Sequence, residues 1–299
     1  MSSETRPTEY GIAPPHYRLP HDTHLGRVRL QVADLARSIA YYETVLGLRV
    51  HERDDATARL APQNDDRVIV ELHEKSGVRP VPRRGAIGLY HFAILLPDRP
   101  SLARFVRHLA DIGAHAGMSD HFVSEAIYLQ DPDGLGIEVY ADRPRSEWRV
   151  EDNQLAMTTI PLDVENLLAA GHGDPWAGAP AGTTLGHVHL YVRDIDEAAR
   201  FYHDGLGFDK TVWSYPGALF MSAGGYHHHL GTNTWAAGAP SATEDDARLL
   251  DWEVVLPDAT AVAGAAASLS GAGYAVDRDA GGLAARDPWG TQVRVIAAR

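Results

Sequence analysis

The side chains with the most chemistry to offer in this chain are its imidazoles and carboxylates. Sixteen histidines stand beside 40 Asp and Glu residues, and there is no cysteine. Disulfides, thiolate metal sites and cysteine nucleophiles are therefore excluded. What remains is nitrogen and oxygen donation to a metal, and proton transfer near neutral pH, for which imidazole is suited. Two stretches concentrate these groups: the run His227-His228-His229 with TNTW (Thr232 to Trp235) close behind it, and DHFVSEAIYLQDPDGLGIEVY, which carries His121, Tyr128 and Glu138. A net charge of −13 opposes nucleic acid and anionic membranes as partners, since both reward cations that displace counterions. No apolar run is long enough to span a bilayer and the opening residues lack a signal-peptide pattern, so a cytoplasmic protein is expected.

The elements that must hold such residues repeat along the chain. LGRVRLQVADLARSIAYYETVLGL from Leu25 returns as LGHVHLYVRDIDEAARFYHDGLGF from Leu185, an offset of 160 residues. The same offset maps YHFAILLPD (Tyr90 to Asp98) onto LDWEVVLPD (Leu250 to Asp258). Each half divides again, because every copy opens with an alternating strand, reaches an aspartate (Asp34, Asp98, Asp194 or Asp258) and passes into an amphipathic helix. Apolar Ile39, Tyr42 and Leu46 show the helical spacing in the first copy, and short strands broken by Gly, Asn and Asp follow each helix. The unit is βαβββ, repeated four times, which makes an α+β protein. The expected organisation is an N-terminal arm (1–22), a first domain of two modules (23–142), a linker with a short helix near Leu162 to Ala170 (143–184), and a second domain of two modules (185–299).

Four such units resemble the vicinal-oxygen-chelate superfamily, which includes glyoxalase I and the extradiol ring-cleavage dioxygenases. The resemblance implies two tandem glyoxalase/dioxygenase-like domains, with metal ligands on the first and last strand of a module. Seven residues before each marker aspartate stand Arg27, His91, His187 and Asp251. Aligning Glu71-Leu72 with His229-Leu230, and counting seven residues on from Asp131 and Asp287, gives Glu71, Glu138, His229 and Arg294 as the last-strand positions. A site built within either half would include an arginine, which keeps its proton and cannot ligate. Pairing the second module with the third instead collects His91, Glu138, His187 and His229. The first and fourth then collect Arg27, Glu71, Asp251 and Arg294, two positive and two negative groups.

The stretch before Glu138 is similar to the extradiol dioxygenase signature: His121, then Ile127-Tyr128, the turn Asp131-Pro132-Asp133-Gly134, and Glu138. It departs from that pattern at Ser119 and in lying in the second module rather than the last. The resemblance implies a dioxygenase of aromatic catabolism that opens a catechol-type ring with O₂. Its partners are a small aromatic diol and O₂, with no nucleic acid or membrane, and a homo-oligomer is left open. The cofactor expected is Fe(II), with Mn(II) or another divalent metal able to substitute, held by His91, Glu138 and His187. His229 is the expected acid–base, with His227 in reserve and His228 expected to point the other way. His121 and Tyr128 would hydrogen-bond the substrate, while Asn233 and Trp235 line its pocket. Two alternatives remain at this level: a glyoxalase-type isomerase or lyase, in which His229 is a fourth ligand, and a non-catalytic small-molecule-binding protein.

Overall fold

The structure is a computed structural model describing residues 10–171, 173–279 and 281–298, so the first nine residues of the expected arm lie outside it. The first module is β1 (His24–Val32), α1 (Leu35–Thr44), β2 (Arg49–Arg53), β3 (Thr57–Ala61) and β4 (Val70–Glu74). The second is β5 (Gly88–Leu95), α2 (Arg99–Asp111), β6 (Gly117–Asp120), β7 (Ser124–Gln130) and β8 (Gly136–Asp142). The segment between the halves carries β9 (Val150–Glu151), β10 (Gln154–Leu155), β11 (Ile160–Pro161) and α3 (Val164–Ala170). The third module is β12 (Thr184–Tyr191), α4 (Ile195–Ala199) running on into a wider helical stretch Arg200–Leu206, β13 (Asp209–Val212), β14 (Ala218–Ser222) and β15 (Leu230–Asn233). The fourth is β16 (Arg248–Leu256), α5 (Ala259–Gly271), β17 (Val276–Asp279), β18 (Gly282–Arg286) and β19 (Gln292–Ala297).

The recurring aspartate has a local cause. Asp34, Asp98, Asp194 and Asp258 are the N-caps of α1, α2, α4 and α5, each accepting the backbone N–H three residues on at 2.8–2.9 Å. This satisfies a donor the first helical turn cannot, which fixes where strand gives way to helix. Beyond the cap, α2 buries Leu102, Phe105, Val106 and Leu109 and lies against β8. The Ala-rich α5 does the same against β19 with Ala265, Ala266 and Leu269.

The modules pair across the halves. One sheet runs β11-β6-β7-β8-β5-β12-β15-β14-β13, joining the second module to the third through antiparallel β5 and β12. The other runs β17-β18-β19-β16-β1-β4-β3-β2, joining the first to the fourth through antiparallel β1 and β16. Other contacts work within each half: the Tyr42 hydroxyl meets Asp131 at 3.3 Å and Tyr202 meets Asp287 at 3.0 Å. Arg37 adds an ion pair to Asp133 in the turn of the second module. The segment 143–184 is more than a spacer, since β11 extends the first of these sheets and Gln154 accepts from the backbone of Trp213. Among the described residues no helix is long and apolar enough to cross a membrane.

The sheet of modules one and four holds a buried ion network rather than ligands. Arg27 bridges Glu71 at 2.9 Å and Glu253 at 3.2 Å, and Glu71 also accepts from Arg59 at 3.1 Å and contacts His73 at 2.7 Å. The expected grouping is corrected in two places. Asp251 pairs with Arg29, its register neighbour across β1 and β16, and Arg294 reaches out to Asp279 at 2.9 Å. Burial alone would raise the Glu71 carboxyl, but the His73 hydrogen bond, the Arg27 charge and the Arg59 hydrogen bond hold it at about 2, against 4.5 ordinarily. Such a carboxylate contributes stability that is complete above pH 4.5 and is lost as pH falls toward 2. Between neutral pH and pH 3, Glu71 should therefore cost the parent about 2 kcal/mol that a Glu71→Gln variant does not lose. Urea unfolding of both proteins at the two pH values measures this, and parallel losses would refute it.

Candidate metal centre

The strand β12 is buried almost from end to end, because helices cover one face of its sheet and a cavity lies on the other. Its neighbour β5 brings His91 opposite His189, and His187 opposite Ala93. On the far side of β5, parallel β8 sets Glu138 beside Ala93. Three side chains thus converge from three strands. His91 Nε2 lies 3.0 Å and His187 Nε2 3.3 Å from Glu138 Oε2, and the two Nε2 atoms are 3.2 Å apart. All three residues are buried, at most 4% exposed.

These residues fit a divalent ion. Donors about 2.1 Å from a common metal and adjacent in its coordination sphere stand about 3 Å apart, as these atoms do. Burial lowers the pKa of His91 and of His187, partly countered by Glu138, which leaves neutral rings with lone pairs to give. Burial would raise Glu138, but contact with His187 first and His91 second holds it well below the carboxylate range. The Nδ1 atoms of both rings are buried with no partner among the described residues, so Nε2 is the edge each offers.

A fourth donor is missing because its position is a glycine. Val28 pairs with Val70 in the first module, and Val188 pairs with Leu230 in the third. The residue equivalent to Glu71, and hence to Glu138, is therefore Gly231 and not His229. Its place is taken by the ring of His189, which a Cβ on Gly231 would approach to 2.9 Å. The sequence-based placement of His229 is corrected accordingly. His229 precedes β15 in an irregular stretch, where strand alternation does not apply. Its Nδ1 accepts from the Ala223 backbone N–H at 3.3 Å and lies 3.0 Å from Ser222 Oγ, and its ring lies against Tyr226, away from the cavity. Burial pushes it down to about 3.

The cavity in front of the triad holds about 770 Å³. His121 and Tyr128 line it together, as expected, with Tyr128 Oη 2.6 Å from His121 Nε2. Since His121 Nδ1 stands 2.6 Å from the Thr158 carbonyl, which can only accept, Nδ1 carries a proton. Trp235 also lines the cavity; Asn233 and His227 do not. Asn233 stands behind, its amide nitrogen 2.9 Å from His189 Nε2 and its oxygen accepting from Trp235 N. Among the lining residues not expected there, two histidines stand beside the triad, His189 and His228. The first was signalled by its i, i+2 spacing from His187. The second, expected to point away, packs its ring 4.1 Å from that of His187. Tyr90, Tyr215 and Phe220 complete an aromatic wall.

A family model for the Glyoxalase/Bleomycin resistance protein/Dioxygenase superfamily matches residues 24–139 and 184–295. The chain is 43% identical over 271 residues to catechol-2,3-dioxygenase of Bacillus subtilis, spanning 89% of this chain and 94% of the relative. A candidate dioxygenase structure from Bacillus subtilis superposes with a TM-score of 0.64 at 13% identity, over 94% of this chain and 86% of that one. Glyoxalase I from Zea mays does so with 0.56 at 17% identity, over 92% of both. At these identities the structural likeness is one of fold. With its four repeated modules, its converging donors and both stretches matched, the chain belongs to the glyoxalase/bleomycin resistance protein/dioxygenase superfamily.

Proposed function

We propose that this protein is an extradiol dioxygenase, which opens a catechol-type ring beside its hydroxyls with O₂ at an Fe(II) ion held by His91, Glu138 and His187. The observation that carries the reading is Gly231: two imidazoles and one carboxylate without a fourth donor is the facial arrangement suited to non-haem iron and oxygen. A glyoxalase-type site with His229 as fourth ligand does not fit, because that ring is turned away. The same N/O donors also accept Mn(II). The relative named catechol-2,3-dioxygenase supports the substrate class.

Once bound, the ion would supply Lewis acidity and a path for electrons between diol and O₂. The remaining work falls to the chain. A diol must lose a proton to chelate, and His228, beside His187 on the cavity wall, is placed to take it in the role first expected of His229. Tyr128 and His121 form a hydrogen-bonded pair able to hold a substrate oxygen and exchange a proton with it. The aromatic wall of Tyr90, Phe220 and Trp235 offers stacking surface to the ring and keeps water from it.

Elemental analysis should find one divalent ion per chain in the parent and in His229→Ala, and none in His187→Ala, because three ligands leave no redundancy. Loss of metal from His229→Ala would restore the four-donor site. With Fe(II) and air, the parent should turn catechol into a yellow ring-opened product while consuming O₂. His228→Ala should keep its metal and lose about 10² to 10⁴ in rate. A parent that consumes no O₂ with a panel of catechols rules out ring cleavage.

A further inference from the structure

Behind His228 lies a chain of hydrogen bonds that the metal triad does not use, running from buried His227 to the partly exposed Asp142. Asp142 closes β8, four residues beyond Glu138 and on the same face of the strand. Its Oδ1 lies 2.9 Å from His227 Nε2. His227 Nδ1 in turn lies 2.6 Å from His228 Nδ1. The assembly is braced from outside: Tyr226 donates to the same Asp142 oxygen at 3.3 Å, Tyr140 and Tyr226 share a hydrogen bond of 2.6 Å, and Thr211 donates to the His227 carbonyl at 2.7 Å.

From this geometry we propose that Asp142 and His227 are positioning residues that hold neutral His228 with its proton on Nδ1, leaving Nε2 bare for the substrate hydroxyl. In the proposed arrangement His227 is neutral and its one proton sits on Nε2, facing a carboxylate that only accepts. Its Nδ1 is then an acceptor, and at 2.6 Å only a donor can face it. That donor is His228 Nδ1–H. Among the described residues Nε2 of His228 has no hydrogen-bond partner, and His228 lines the cavity. When Nε2 takes the proton of a bound diol, the Nδ1 proton remains hydrogen-bonded to His227, with Asp142 facing the charge that forms. The logic is that of a carboxylate fixing the tautomer of a catalytic imidazole, extended by one ring. The inference rests on the acid–base role proposed for His228.

Long-range ¹H–¹⁵N spectra of histidine-labelled, metal-free protein read the tautomer without turnover, His228 being assigned by the signals lost in His228→Gln. The parent should show Nδ1 protonated and Nε2 bare, and Asp142→Asn should mix the two forms. In the Fe(II)-loaded enzyme, Asp142→Asn should lower kcat about 10- to 100-fold with KM and metal content unchanged. Asp142→Glu should recover part of the loss. A parent carrying its His228 proton on Nε2 overturns the proposal, as does an Asp142→Asn enzyme with parental kcat or one that loses metal. A parent that cleaves no catechol refutes the dioxygenase reading instead, while the tautomer measurement still stands or falls by itself.

Discussion

Everything at the metal centre depends on the antiparallel seam between β5 and β12. Neither strand holds a site alone: β5 contributes one imidazole, β12 another, and the carboxylate arrives on β8 only because β8 pairs with β5. Strand side chains alternate between faces, so a slip of one residue along this seam would turn His91 or His187 into the helix-covered core. The register shifts on either side of His187 and His189 adjust β12 locally while keeping both rings on the cavity face. On the other side of β5, Gly136 lets β8 pass so near Tyr90 that a Cβ there would stand 2.0 Å from its carbonyl oxygen.

The two sheets answer the same architectural problem with opposite electrostatics. Where the second module presents Glu138 to two neutral imidazoles, the first presents Glu71 to Arg27, Arg59 and His73. A buried carboxylate needs compensation, and guanidinium groups supply it permanently. Glu71 is thereby complete within the protein. Glu138, His91 and His187 bring one negative charge and three lone pairs to one point, a donor set that a divalent cation would complete. Repetition of one fold thus produced one self-sufficient ion network and one receptor.

Much of this was legible in the sequence, for identifiable reasons. Helix caps are local, so Asp34, Asp98, Asp194 and Asp258 mark the modules directly. The segregation of arginines revealed which modules share a sheet, since Arg27 and Arg294 cannot ligate. The fourth donor position was not legible, because the pairing of β12 with β15 is set by hydrogen bonds and not by residue similarity. Matching Glu71-Leu72 with His229-Leu230 misplaced that position by two residues. That His228 and not His229 lines the cavity has the same root: Gly224 and Gly225 turn the backbone at positive φ, and the histidines follow before regular strand resumes. Asn233 and His227, expected as substrate-binding residues, touch the residues that line the cavity and do not line it themselves.

The crossing of modules between halves bears on how the chain closes upon itself. A half taken alone presents the bare edges of β1 and β5, each of which pairs with a strand from the other half. Nothing in the backbone pattern distinguishes a β12 from the same molecule from one on a second chain. What favours the intramolecular partner is tethering: the segment 143–184 keeps the second half at a high effective concentration near the first, and β11 anchors that tether to the sheet being completed. Shortening the tether beyond its reach would convert the same two seams into the interface of a reciprocally exchanged dimer, each metal centre then assembled from two chains.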